Sequence, residues 1–215
     1  DLEGASLEDG RIGYRTFMHE LSHSLGLEDA YNLASFTGSN NYLLNQKYTI
    51  MADVNPGAIP PEISLGVDYQ YPYTLQLLDV LALQEMYASR NYDTRNENTD
   101  YELTPNIGKF SANALDGSFF LYNIWDGDGI DTLDASFYSG ENEVSAQLDL
   151  RQGAFSSVGF DGQGGAIAFD DLENPDPNNP DLGNVSISYY TVIENAVGTS
   201  ADDILIGNAW DNVLD

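Results

Sequence analysis

At 215 residues the chain is long enough to bury a sizeable core, as one large domain or two small ones. It carries 35 acidic residues against 7 basic ones, a formal charge of -28, and no cysteine. These numbers exclude a disulfide framework, a cysteine nucleophile and a thiolate metal site, and they argue against nucleic acid and anionic membranes as partners. No stretch approaches the ~20 apolar residues of a membrane span. So many hard carboxylate oxygens suit a calcium-rich, extracellular or saline setting, although most are expected to be solubilising surface charge.

Residues 1–12 are acidic and loop-like. No signal peptide is visible and Asp1 does not read as a translation start, so the chain is expected to be processed or a fragment. From about Tyr14 to Leu25 the pattern is helical, with Phe17, Leu21 and Leu25 at i, i+4 and i+8. Gly26 follows at once, the residue preferred where a helix ends in a left-handed turn. Both histidines of the chain lie in this helix, in His19-Glu20-Leu21-Ser22-His23. Four residues apart, the two imidazoles share one helix face and can grip one zinc ion, with Glu20 placed to act on a water at the metal.

A catalytic zinc wants a third protein ligand and one open position. The wider pattern is His19-Glu20-x-x-His23-x-x-Gly26-x-x-Asp29, and after the turn at Gly26 the Asp29 carboxylate can face the metal. Glu28 is its nearest rival, and an ordinary loop acid is the other reading of Asp29.

Residues 28–72 read as irregular loop with short strands, broken by Pro56, Pro60 and Pro61. A second helix is expected from Tyr73 to Ala88, with Leu75, Leu78, Ala82 and Met86 as its apolar stripe, broadened by Leu81 and Leu83. A linker covers about 89–105. Beyond it, short β-type runs alternate with Gly/Asp/Asn turns: 119–125, 144–150, 166–169, 185–192 and 204–206. Residues 170–184 form a polar loop broken by proline. The domains are therefore drawn as 1–100 and 101–215.

Two acidic stretches suit calcium. Residues 126–134 hold Asp126, Asp128, Asp131 and Asp134, although a solvated acidic hairpin would look the same. Residues 198–214 read as a degenerate pair of Gly-Gly-x-Gly-x-Asp-x-U-x repeats containing Asp202 and Asp203.

Taken in order, these motifs resemble the metzincin metallopeptidases, and among them the serralysin-type secreted bacterial proteases. That family carries H-E-x-x-H-x-x-G-x-x-H, a later Met-turn and a C-terminal calcium-binding β-roll. Tyr48-Thr49-Ile50-Met51-Ala52-Asp53 resembles the Met-turn, which implies that Met51 forms an apolar floor beneath the zinc. Leu78-Asp79 with Ala82, Gln84 and Tyr87 resembles the helix that follows. The segment Trp125–Asp134 resembles the family's calcium-binding turn, and Gly153-x-Phe155-Ser156-x-x-Gly159 and Ile193-Glu194-Asn195-Ala196-x-Gly198 also match. The resemblance runs from about residue 11 to residue 215, leaving 164–184 unmatched.

It implies an α+β chain: the C-terminal part of a metzincin catalytic domain, then an all-β, β-roll or β-sandwich-like calcium-binding domain. The implied function is a secreted, extracellular zinc endopeptidase acting on protein or peptide substrates. His19, His23 and Asp29 would hold the zinc, and Glu20 would be the general base. Three departures stand out. Asp29 replaces the family's third histidine. Asp53 replaces its tyrosine two residues after the Met, a loss that would weaken transition-state stabilisation. Only 18 residues precede His19, so most of the family's N-terminal sheet is expected to lie elsewhere, in a lost segment or a separate partner chain. These departures keep open a second reading, a non-catalytic, calcium-stabilised surface or matrix module descended from such a protease.

Overall fold

The computed structural model describes residues 7–8, 10–30, 43, 45–52, 71–87, 95–104, 121–140, 143–159 and 183–215. Asp53, Pro56, Pro60, Pro61 and the expected strand at 166–169 lie outside these residues.

Helix α1 spans Ile12–Ser24, close to its expected bounds. The face it buries is not the apolar one. Phe17, Leu21 and Leu25 are exposed, while Gly13, Arg15, His19 and Ser22 face inward. Those polar side chains are buried because each finds an acceptor. Arg15 donates to the carbonyls of Ile50 (3.0 Å) and Ala52, and Ser22 Oγ donates to the carbonyl of Met18 at 2.7 Å. A buried polar group with a partner avoids the desolvation cost of an unpaired one, so hydrogen bonds decide the face here.

Helix α2 spans Leu77–Met86. It starts later than the periodicity predicts because Gln76 and Asp79 form a reciprocal cap: the Gln76 side chain takes the N3 amide and the Asp79 carboxylate takes the Gln76 amide. Its buried residues are Leu77, Asp79, Val80, Leu83 and Gln84, a face nearly opposite the expected stripe, and Met86 is exposed. The helix is apolar on nearly every side, so the partners of Asp79 and Gln84 select its orientation.

From residue 100 on, the described elements are one 3-10 turn, Ser136–Tyr138, and short strands: β1 Asp100–Glu102, β2 Tyr122–Ile124, β3 Thr132–Asp134, β4 Gln147–Asp149, β5 Phe155–Ser156, β6 Val185–Ile187, β7 Asn195–Val197, β8 Ile204–Ile206 and β9 Val213–Leu214. β1 falls inside the expected linker. One parallel sheet runs β1-β3-β7-β9, a second β2-β6-β5, with β5 antiparallel, and a third pairs β4 with β8. In the first sheet Tyr101, Leu133, Ala196 and Leu214 are in register as one column. The last strands start at residues 195, 204 and 213, a nine-residue step that alternates between two sheets. That is the geometry of stacked β-repeats. β2, β4 and β6 are buried throughout, as parallel strands covered on both faces are.

Two apolar cores result. The larger fills the β-rich part, with Leu103, Ile124, Leu133, Leu148, Leu150 and Ile187 fully buried. The smaller gathers Leu27, Ala30, Ile50, Met51, Ala52 and Leu83 around the helices. The two parts meet closely. Tyr73 belongs to the larger core and its amide donates to the carbonyl of Leu121 at 3.1 Å, while Gln84 Nε2 donates to the carbonyl of Tyr189 at 3.0 Å.

Candidate metal centre

Helix α1 ends in a turn that its own residues dictate. The amide of Gly26 donates to the carbonyl of His23 (3.0 Å) and that of Leu27 to Ser22 (3.1 Å), with Gly26 at φ +95°. This paired closure is the Schellman arrangement, and it requires a residue tolerant of the left-handed region. It reverses the chain so that residues 27–30 return past the face that carries the histidines. The amide of Ala30 then donates to the carbonyl of Met51 at 3.1 Å. Asp29 is thus held between a helix-ending turn and a second, distant turn.

The result is a convergence. Nε2 of His19 lies 3.1 Å from Asp29 Oδ1, and Nε2 of His23 lies 3.4 Å from the same oxygen. The two rings meet edge to face, their centroids 4.8 Å apart. Among the described residues, His19, His23 and Asp29 form the set of three such side chains whose ligand atoms all lie within 4.8 Å of one another. Glu28, the alternative acid, is exposed and outside this set. Glu20 is exposed on the helix, next to His19.

The opposite side of each imidazole is equally defined. Nδ1 of His19 faces the carbonyl of Ile50 at 3.1 Å, and Nδ1 of His23 faces the carbonyl of Leu27 at 2.8 Å. A carbonyl oxygen only accepts, so in the neutral imidazole each Nδ1 carries the proton and each Nε2 presents a lone pair toward Asp29. Outer partners of this kind orient metal-binding histidines. The donor set of two Nε2 lone pairs and one carboxylate fits a catalytic zinc with an open position.

Beneath the histidines the turn at 49–52 is anchored from α2. Asp79, fully buried, accepts the Ile50 amide at 2.8 Å, the Gln76 amide at 2.8 Å and the hydroxyl of Thr49. Burial pushes its carboxyl up to about 6 from 3.8, against the pull of those hydrogen bonds and of the His19 charge. Met51 is buried in the small core, and its amide donates to Thr49 Oγ1 at 3.0 Å. Sequence reasoning missed Arg15, Thr49 and the carbonyl of Ile50. Only the position of Arg15, one helical turn before His19, hinted that it shares the buried face.

The acidic residues divide. Asp126 and Asp131 are buried, and Asp131 accepts the Thr99 amide at 2.8 Å through Oδ1 while Oδ2 is buried with no hydrogen-bond partner. Burial first, and then the charges of Asp126, Glu194 and Asp128, raise the Asp131 carboxyl to about 6. Glu194, which the motif reading left without a role, accepts the Asp131 amide at 2.8 Å. Asp128 is exposed. The other acids have different work. Asp134 accepts the Ser136 amide at 2.7 Å, Asp203 accepts the amides of Ala146 (2.7 Å) and Thr199 (2.6 Å), and Asp202 is exposed.

Residues 90–171 match the family model described as Peptidase M10 serralysin C terminal. Over most of its length the chain is also similar to curated proteins. It is 31% identical over 215 residues to Metalloprotease AprA of Pseudomonas entomophila (strain L48), covering 95% of this chain and 39% of that protein. It is 30% identical over 211 residues to Serralysin G of Dickeya chrysanthemi (95% and 38%) and 30% identical over 217 residues to Serralysin of Proteus mirabilis (96% and 38%). The chain therefore spans about two fifths of the length of these relatives. Because the similarity runs through both the helical and the β-rich parts, the chain is a relative of the serralysin-type metallopeptidases.

Proposed function

We propose that the chain carries the zinc site of a secreted endopeptidase, with His19, His23 and Asp29 as ligands and Glu20 as general base. The observation that carries this reading is the convergence of two Nε2 atoms on Asp29 Oδ1, with both Nδ1 atoms turned to backbone carbonyls. Bound zinc would polarise a peptide carbonyl and make a water nucleophilic at neutral pH. Glu20, exposed beside His19, takes the proton of the attacking water on a carboxylate oxygen and passes it to the leaving amine nitrogen. The Ile50 and Leu27 carbonyls keep the imidazoles from rotating. Met51, buried in the small core, is read as the apolar floor of the site.

The acidic turn is read as a calcium site formed by Asp126 and Asp131 with Glu194 beside them. A buried carboxylate oxygen without a hydrogen-bond partner, amid like charges, suits a hard cation. The other reading, a calcium-stabilised module without catalysis, is favoured by one observation: the family model covers the β-rich residues 90–171 and not the helices.

Metal analysis of the purified chain, with no zinc added, separates the two. The peptidase reading expects about one zinc per chain, lost in Asp29→Ala and kept in Glu20→Gln, with peptide hydrolysis by the full assembly lost in both. Calcium without zinc would overturn it in favour of the module.

A further inference from the structure

The hydrogen bonds beneath His19 form an unbroken series. Thr49 Oγ1 donates to Asp79 and accepts the amide of Met51 at 3.0 Å. That amide belongs to the same peptide unit as the carbonyl of Ile50. The carbonyl accepts Nδ1 of His19 at 3.1 Å and Arg15 at 3.0 Å, which uses both of its lone pairs. Asp79 also takes the Ile50 amide at 2.8 Å, so the turn is gripped on both sides of Ile50. His23 has no part in this series. Its Nδ1 faces Leu27 across the turn at Gly26.

We infer that Thr49 and Asp79 are positioning residues for His19, acting through the Ile50–Met51 peptide as an extended form of the carboxylate–histidine pair found around metal sites. This rests on the reading of His19 as a metal ligand. A carboxylate beside a ligating histidine fixes its tautomer and raises its basicity. Here the carboxylate is too far along the fold to touch the ring, and a hydroxyl and one peptide unit carry its effect. Hydrogen bonds linked in series polarise one another in the same direction. Arg15 holds the carbonyl from the other side, so the Ile50 oxygen cannot swing away when the ring is pulled toward a metal.

The arrangement makes the two histidines differ, which supplies an internal control. The experiment uses the full 215-residue chain as wild type, Thr49→Val and Thr49→Ser. The first readout is nitrogen NMR of the imidazoles in metal-free protein at a pH where both are neutral, which reports the tautomer. Wild type should show the Nδ1–H tautomer at both rings. Thr49→Val keeps the side-chain shape and removes the hydroxyl, so His19 should become a tautomer mixture while His23 stays as it was. Thr49→Ser should restore His19. The second readout is zinc competition with a colorimetric chelator. Thr49→Val should bind zinc about 10- to 100-fold more weakly, and Thr49→Ser within a few-fold of wild type.

The relay is overturned if Thr49→Val leaves the His19 tautomer unchanged, if both histidines change together, or if serine fails to rescue. The wild-type spectrum needs no variant and overturns the relay by itself if His19 carries its proton on Nε2. Failure of the peptidase reading would look different: wild type would bind no zinc, while Thr49→Val would still change the tautomer of His19 and not that of His23.

Discussion

The carbonyl of Leu27 stands 2.8 Å from Nδ1 of His23, and Gly26 is the residue that brings it there. With φ at +95°, Gly26 closes both capping bonds of α1. Among the described residues a Cβ at this position would meet only Met86, at 3.7 Å and 3.8 Å, which is ordinary contact. The cost of Gly26→Ala is therefore backbone strain alone, about 1–2 kcal/mol. Urea unfolding should show that loss, with Gly26→Asn losing less because asparagine tolerates the left-handed region better. Equal losses for the two variants would contradict this account of the turn.

Asp79 predicts a pH dependence. Its folded carboxyl titrates near 6 and its unfolded one near 3.8, so the folded state binds the proton more tightly. The stability this contributes is fully present below about 3.8 and is lost as pH rises through about 6. The gap corresponds to on the order of 3 kcal/mol. Charged groups that bear on it are few: His19 lowers its carboxyl, and its other neighbours are amides and a hydroxyl. Denaturant melts across this window should fall more steeply for wild type than for Asp79→Asn. Parallel curves would show that Asp79 does not titrate as described.

The acidic turn predicts a response to metal removal. Calcium at a hundredfold excess over its Kd would stabilise the fold by about 2.7 kcal/mol through mass action. Thermal unfolding with a calcium chelator should begin several degrees lower than with calcium. Asp131→Asn should abolish that difference, because it removes the buried oxygen that has no hydrogen-bond partner. A full calcium response in Asp131→Asn would place the ion elsewhere.

Gly153 carries a prediction about how the two parts meet. It sits at φ +77°, and a Cβ there would lie 2.7 Å from the ring of Tyr189. Tyr189 offers its carbonyl to Gln84 on α2 at 3.0 Å, and the Tyr190 hydroxyl reaches Glu85 at 3.3 Å. Gly153→Ala should cost about 2–4 kcal/mol, combining left-handed strain with overpacking. Hydrogen exchange should quicken in α2 as well as in β6. Protection unchanged in α2 would mean that the Tyr189 contact does not brace the helix.

The elements that were legible in the sequence are those written in local terms. The helix at 12–24, its stop at Gly26, the strand at 204–206 and the trio His19, His23 and Asp29 all follow from spacing within a few residues. The family resemblance was legible as well, because its motifs recur in order along the chain. The buried faces were not legible. Phe17, Leu21 and Leu25 form a regular stripe, yet the fold buries Arg15 and His19 because acceptors wait for them in the turn at 50–52, more than thirty residues away. Asp79 could be matched to a motif, but its three donors become visible only when that turn is folded against α2. Glu194 likewise joins Asp131 across a gap that periodicity does not register.

Both atoms that orient the imidazoles, the oxygens of Ile50 and Leu27, are main-chain atoms. No side-chain replacement at those two positions can delete them. The geometry of the pair is therefore tied to the path of the backbone and not to the identity of its neighbours, so it can survive substitution at most surrounding sites. This gives mutational robustness to the part of the site that tolerates the least displacement, and it concentrates sensitivity in the few residues that set the path: Gly26 after the first helix, and Thr49 with Asp79 beneath the second turn.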